Sequence, residues 1–242
     1  MTVDAPAAPQ SSGLATVLNV FVAPRDAFST LGEVPMWGWA FIVATVLGVI
    51  GSLLAIPATT HALQTGLAAQ MAHDPNFAQM TPDKQKQAMG FAQLGVRFGW
   101  IFVPVYLLVI ALVQSVIMLI TNAVGRGSAT FKQLWAAAMN ISVITFGVAY
   151  LFTGLITMLR GPQSYTNTAA LAASLPSAAW AIPHAGVKTI AFLSAINPFS
   201  LWGVFLLATA LLVIARASKP LAYGTAIFII LCSGALAALF AR

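Results

Sequence analysis

The chain has 242 residues, 60% of them hydrophobic and only 7% charged, and a formal net charge of +6 at pH 7. A water-soluble globular domain carries about 25% charged residues, so this composition, with a mean hydropathy of +0.90, excludes a chain dissolved in water. The 11 Lys and Arg stand singly or in pairs, too thinly spread for a nucleic-acid surface, and anionic lipid headgroups are their natural partner.

The opening residues 1–13, MTVDAPAAPQSSG, read as a disordered tail; they have neither the basic start nor the apolar centre of a cleavable signal peptide. Residues 14–36 form a cytoplasmic juxtamembrane segment in which Leu14, Val17, Leu18, Phe21 and Val22 recur at helical spacing. This spacing predicts an N-terminal amphipathic helix lying at the membrane interface. With no strong basic face, it fits equally well a short helix packed under a bundle.

Residues 37–242 are expected to be all-α, an integral membrane domain of five transmembrane helices. A span needs about 20 mostly apolar residues, and the segments 37–56, 100–120, 135–159, 198–215 and 221–240 qualify. Trp37, Trp100, Trp135 and Trp202 each fall near a predicted span start, where amphipathic rings favour the membrane–water boundary. In the first span Ala40, Ala44, Gly48 and Ser52 recur every fourth residue, and Ser233, Ala237 and Ala241 repeat the spacing in the last. Small residues so placed let helices approach closely, within the chain in preference to a homodimer seam. Pro57 is expected to end or kink the first helix.

In the long connection 57–99, TPDKQ predicts a helix capped by Thr81 and continuing into the second span. His61 and His73 stand 12 positions apart and with Asp74 are a candidate metal set, but lone loop histidines are commonly just solvated and ligands need mutual geometry, so no metal site is assigned. Within the spans no ionisable residue is well buried; the polar groups there are Gln114, Asn140, Ser142 and Thr145. Gln114, Asn140 and Thr145 are candidate intramembrane contacts, gluing helices together or, as the alternative, binding a solute. The connection 160–196 is nearly uncharged and contains Trp180 and Ile182, so it is expected to rest on the outer leaflet or cover the bundle.

The fourth span opens on Asn197, Pro198, Phe199 and Trp202. Asn at the cap and Pro at the first helical position are favoured at a helix start, and VKTIAFLSA before them is expected to be a separate interfacial helix. Arg126 with Lys132, and Arg216 with Lys219, mark the two short connections as cytoplasmic. That puts the N-terminus inside and the C-terminus outside. No His-Glu-x-x-His, Gly-x-Ser-x-Gly or cofactor motif occurs, so no catalytic residue and no cofactor is assigned.

Three stretches, APRDAFSTLGEVPMWGWA, GRGSATFKQLWAAAMN and INPFSLWGVFLLATALLVIARASKPLAYG, occur in this order around the five predicted spans. In this the chain resembles the bacterial branch of the YIP family, the Ypt/Rab-interacting-protein type of five-span membrane protein. The resemblance implies a multi-pass protein of the bacterial cytoplasmic (inner) membrane with the same orientation. Eukaryotic members act in vesicle traffic and contact small GTPases; the acidic, extended N-terminal region used there is nearly missing here, which speaks against a GTPase partner. The function expected is a non-enzymatic membrane protein that organises lipids, other membrane proteins or copies of itself. A small permease for an uncharged or apolar solute is the alternative.

Overall fold

The computed structural model describes residues 13–73, 80–182 and 184–241, and among these every regular element is helical. The tail 1–12 and Asp74 lie outside the described residues. Two short helices lead: α1 (Gly13–Val22) and α2 (Pro24–Glu33). On α1, Thr16, Val17 and Val20 are buried while Leu14, Leu18 and Val22 stay exposed on the other side. The helix is therefore packed into the bundle along one face and leaves an apolar stripe outward. On α2, Phe28 and Leu31 are fully buried, and Gln133 Nε2 reaches across to donate to Gly32 O at 2.5 Å.

The long helix α3 (Gly38–His73) continues past Pro57, so of the two expected outcomes, ending or kinking, Pro57 does not end it. Proline inside an apolar helix is tolerated where neighbours satisfy and brace the freed backbone. Here the segment after 160 does the bracing. His61 Nδ1 donates to Tyr165 O at 3.0 Å and Thr65 Oγ1 to Thr166 O at 2.6 Å. Buried Ala58, Ala62 and Tyr165 form a small cluster beside them. The first part of the 160–196 connection, around Tyr165, Thr166 and Leu171, thus lies along the far end of α3.

Next come α4 (Pro82–Phe98) and, after one tight turn at Gly99–Phe102, α5 (Val103–Val124). Thr81 stands at the cap position of α4, but its side chain makes no capping hydrogen bond. The third long helix is α6 (Phe131–Ser142), a π-helical stretch Val143–Val148, and α7 (Ala149–Arg160). It is the most buried of the set and supplies Leu134, Met139 and Ile141 to the core. A capping box opens it, Thr130 Oγ1 accepting from Gln133 N and Gln133 Oε1 from Thr130 N.

The remainder is α8 (Thr168–Ala172), α9 (Val187–Ser194), α10 (Pro198–Val213) and α11 (Lys219–Phe240). Among the described residues, four helical stretches are long and apolar enough to cross a membrane, and the count is five when α9 and α10, bent 47° from each other, are taken as one broken span. Alone, the 16 residues of α10 rise about 24 Å at 1.5 Å per residue, short of a hydrocarbon core of about 30 Å. α9 supplies the missing length. It is packed on α11, with Phe192 against Gly234.

The outer surface is apolar. Ile42, Val46, Ile50 and Leu53 form an exposed stripe on α3, Val105, Val109, Leu112 and Val116 one on α5, and Ile227, Phe228 and Leu231 one on α11. Faces of this kind are stable in lipid and a liability in water: the chain is a helical membrane protein. At one end the two short basic turns meet. Arg126 and Arg216 adopt left-handed backbone conformations with φ of 53° and 52°, and Gly127 abuts Asn122 Oδ1 and Ala215 O so closely that any Cβ would clash.

Candidate functional site

The π-helical stretch at Val143–Val148 widens the helix locally. Such a turn re-aims the side chains around it and is frequently found at functional sites. It sits near mid-length of the helix, next to the point where the α9–α10 pair is broken.

That break is built by one asparagine. Asn197 Oδ1 accepts from Ser200 N at 3.0 Å, and Ser200 Oγ accepts in return from Asn197 N at 2.9 Å, a reciprocal box that satisfies two free donors at the start of α10. Pro198 occupies the first helical position, where its missing N–H costs nothing. The other end of the same amide, Nδ2, donates to Ser194 O at 3.1 Å. One side chain thus closes α9 and opens α10. Phe199 is packed against Phe152, centroids 5.3 Å apart, and Trp202 against Phe205 at 5.1 Å.

Between α5, the π stretch, α10 and α11 lies a cavity of about 250 Å³. Its polar lining is Gln114, Thr145, Ser200 and Ser233, set among apolar residues such as Ile110, Leu207 and Ile229. Ser233 stands fourteen residues into α11, roughly 21 Å along it, so the cavity lies well away from the start of that helix, and at the exposed Ser233 it reaches the outer face. No lining residue is ionisable. The hydroxyls have neither imidazole nor carboxylate in the lining to activate them. What this set does chemically is hydrogen-bond a neutral group inside an apolar wall.

Of the polar residues singled out in the sequence, Gln114 and Thr145 come together in this cavity and Asn140 does not. Asn140 is five positions before Thr145, roughly 140° around an α-helix, and faces the junction of α2 and α3. Its Nδ2 donates to Met36 O at 3.0 Å and to Ala136 O at 2.8 Å, while its buried Oδ1 has no partner. Asn140 therefore ties the third long helix to the start of the first. The Gln114 side chain, among the described residues, makes no hydrogen bond within the chain.

Sequence reasoning missed Ser200 and Gly203 as lining residues and placed Ser233 only in a packing ridge. Asn-x-x-Ser at 197–200 was the available signal for Ser200. A larger cleft of about 620 Å³ opens beside Ser52, Tyr150 and Thr153, and neither Gln114, Asn140 nor Thr145 reaches it. Among the described residues no three His, Cys, Asp or Glu side chains converge as a metal site; the His73 side chain lies outside them. Comparisons with protein-family models, curated proteins and solved structures find no match.

Proposed function

We propose that this chain is a non-enzymatic membrane protein that organises membrane components by holding a lipid or lipid-like neutral molecule between its helices. The observation that carries the reading is the cavity: about 250 Å³, apolar-walled, uncharged, and bordered by a π-helical stretch and a capped helix break. Cavities that are mostly apolar with a few convergent polar groups are the usual form of a small-molecule site. Neutral lining favours a neutral occupant, because a buried unpaired charge is costly.

The order of the three sequence motifs supports placing the chain in the bacterial branch of the YIP family, in the cytoplasmic membrane with the N-terminus inside. The basic turns carrying Arg126, Lys132, Arg216 and Lys219 support the same orientation. Membrane lipids are its partners in this reading.

One observation favours a second reading, a permease for an uncharged solute. Broken helices bordering a cavity deep in a bundle are typical of transporters, and the α9–α10 break borders this one. Uptake by purified protein in liposomes separates the two. The lipid-organising reading expects no solute flux above that of protein-free liposomes. Flux that Gln114→Leu abolishes, and that survives collapse of the proton gradient, would install the permease instead.

A further inference from the structure

The hydrogen-bond bookkeeping of the cavity specifies its occupant further. Each lining hydroxyl has already given its proton to the backbone of its own helix region: Thr145 Oγ1 to Ile141 O at 3.2 Å, Ser233 Oγ to Ile229 O at 2.9 Å, and Ser200 Oγ to Ala195 O at 2.6 Å. A hydroxyl has one proton and two lone pairs, so toward a ligand these three lining residues, of which Ser233 is exposed, offer acceptor oxygens only. Ser200 has a lone pair engaged by Asn197 N as well. The one side chain there with N–H groups to give is Gln114, whose amide is free at both ends.

We propose, resting on the reading that the cavity holds a neutral lipid-like molecule, that its ligand is a hydroxyl-headed amphiphile, a long-chain alcohol in chemical class. A hydroxyl both donates and accepts. It can give its proton to Thr145, Ser233 or the Gln114 carbonyl and take one from Gln114 Nε2. A carboxylate would meet three acceptor oxygens and a single amide donor, with no cation to balance it. An ester accepts only: it can take a Gln114 N–H but has no proton to give to any of the lining oxygens. The size agrees: a cavity of about 150 Å³ holds benzene, so about 250 Å³ takes on the order of ten heavy atoms, a hydroxyl and the first eight or nine carbons.

The test is photolabelling of the purified protein in phosphatidylcholine liposomes with diazirine-bearing octanol, octanoic acid and methyl octanoate in parallel, followed by peptide mass spectrometry. The expected result is octanol label within residues 110–114, 141–146 and 226–233, competed by unlabelled octanol. The acid and ester should label these peptides at least tenfold less. Gln114→Leu should weaken octanol competition about tenfold. Thr145→Val, which keeps the side-chain shape, should weaken it several-fold and serves if Gln114→Leu does not fold. Ester labelling equal to that of the alcohol would overturn the hydroxyl assignment and leave the lipid-holding reading standing. No label in these peptides from any of the three probes would overturn both.

Discussion

Gly203 and Thr145 fit together only because Gly203 has no side chain: a Cβ on Gly203 would sit 2.3 Å from Thr145 Cγ2. Thr145 is branched at Cβ and stiff at χ1, so its methyl cannot swing clear cheaply. The pair sets the distance between α10 and the π-helical stretch, and with it one wall of the cavity. Gly203→Ala should therefore destabilise the protein by about 1–3 kcal/mol, the usual range for overpacking. Thr145→Ser removes the offending methyl and keeps the hydroxyl, so the double variant should recover most of that loss. Thermal unfolding of the four proteins in detergent measures the coupling. Additive effects would mean that the two residues do not meet.

A harder test of packing concerns α3 and α7. A Cβ on Gly154 would lie 2.3 Å from Gly51 O and 2.8 Å from Gly51 Cα, a clash with backbone that no side-chain movement relieves. Gly154→Ala should lower the folded yield and the Tm, costing 3 kcal/mol or more at the upper end of overpacking effects. Gly90, by contrast, has nothing within 4 Å of the added carbon. Gly90→Ala in α4 should leave the Tm unchanged or raise stability by up to about 1 kcal/mol through helix propensity. Equal responses at the two glycines would contradict the α3–α7 seam.

The break at Asn197 gives a third expectation. Replacing a capping residue by alanine typically costs about 0.5–2 kcal/mol. Asn197→Ala should fall at the upper part of that range, because the same amide also holds Ser194 O. Ser200→Ala removes only the reciprocal half of the box and should cost less. An unchanged Tm for Asn197→Ala would show that neither helix end depends on it.

Orientation is open to direct labelling. Cys232, the single cysteine, is half-buried and is replaced by alanine first. Ser128 and Gln163 are both exposed, in a short basic turn and just after α7 respectively; Ser174, also in the 160–196 connection, is 1% exposed and would report burial rather than sidedness. A cysteine replacing Gln163 should react with an impermeant thiol reagent in intact cells, and one replacing Ser128 only after permeabilisation. The reverse pattern would invert the proposed orientation.

Much of the helical framework is legible in the residue pattern, because long apolar runs and Trp-marked starts depend on local composition alone. The helix carrying Val143–Thr145 reads as one uninterrupted run, since a π-helical stretch leaves the apolar composition unchanged. Beyond Pro57, α3 is held by hydrogen bonds to Tyr165 and Thr166, about a hundred residues away, and no local pattern carries that. The small-residue ridge was visible through Ala40, Ala44 and Gly48, yet the tightest contact comes from Gly51, one position off the four-residue repeat that pointed to Ser52. Gln114 and Thr145 were recognisable as polar residues in apolar helices. That they share a cavity while Asn140 turns away depends on the rotation of two helices, which the pattern does not encode.

The central claim is that the cavity holds a lipid or lipid-like molecule, and native mass spectrometry of the protein released gently from its membrane tests it most directly. The wild-type chain should carry a bound neutral species that solvent extraction then identifies. Val204→Phe, which fills the cavity from α10, and Gln114→Leu, which removes its free amide, should each lose that species while retaining the wild-type helical circular dichroism. An identical set of bound molecules on wild type and on both folded variants would contradict the account.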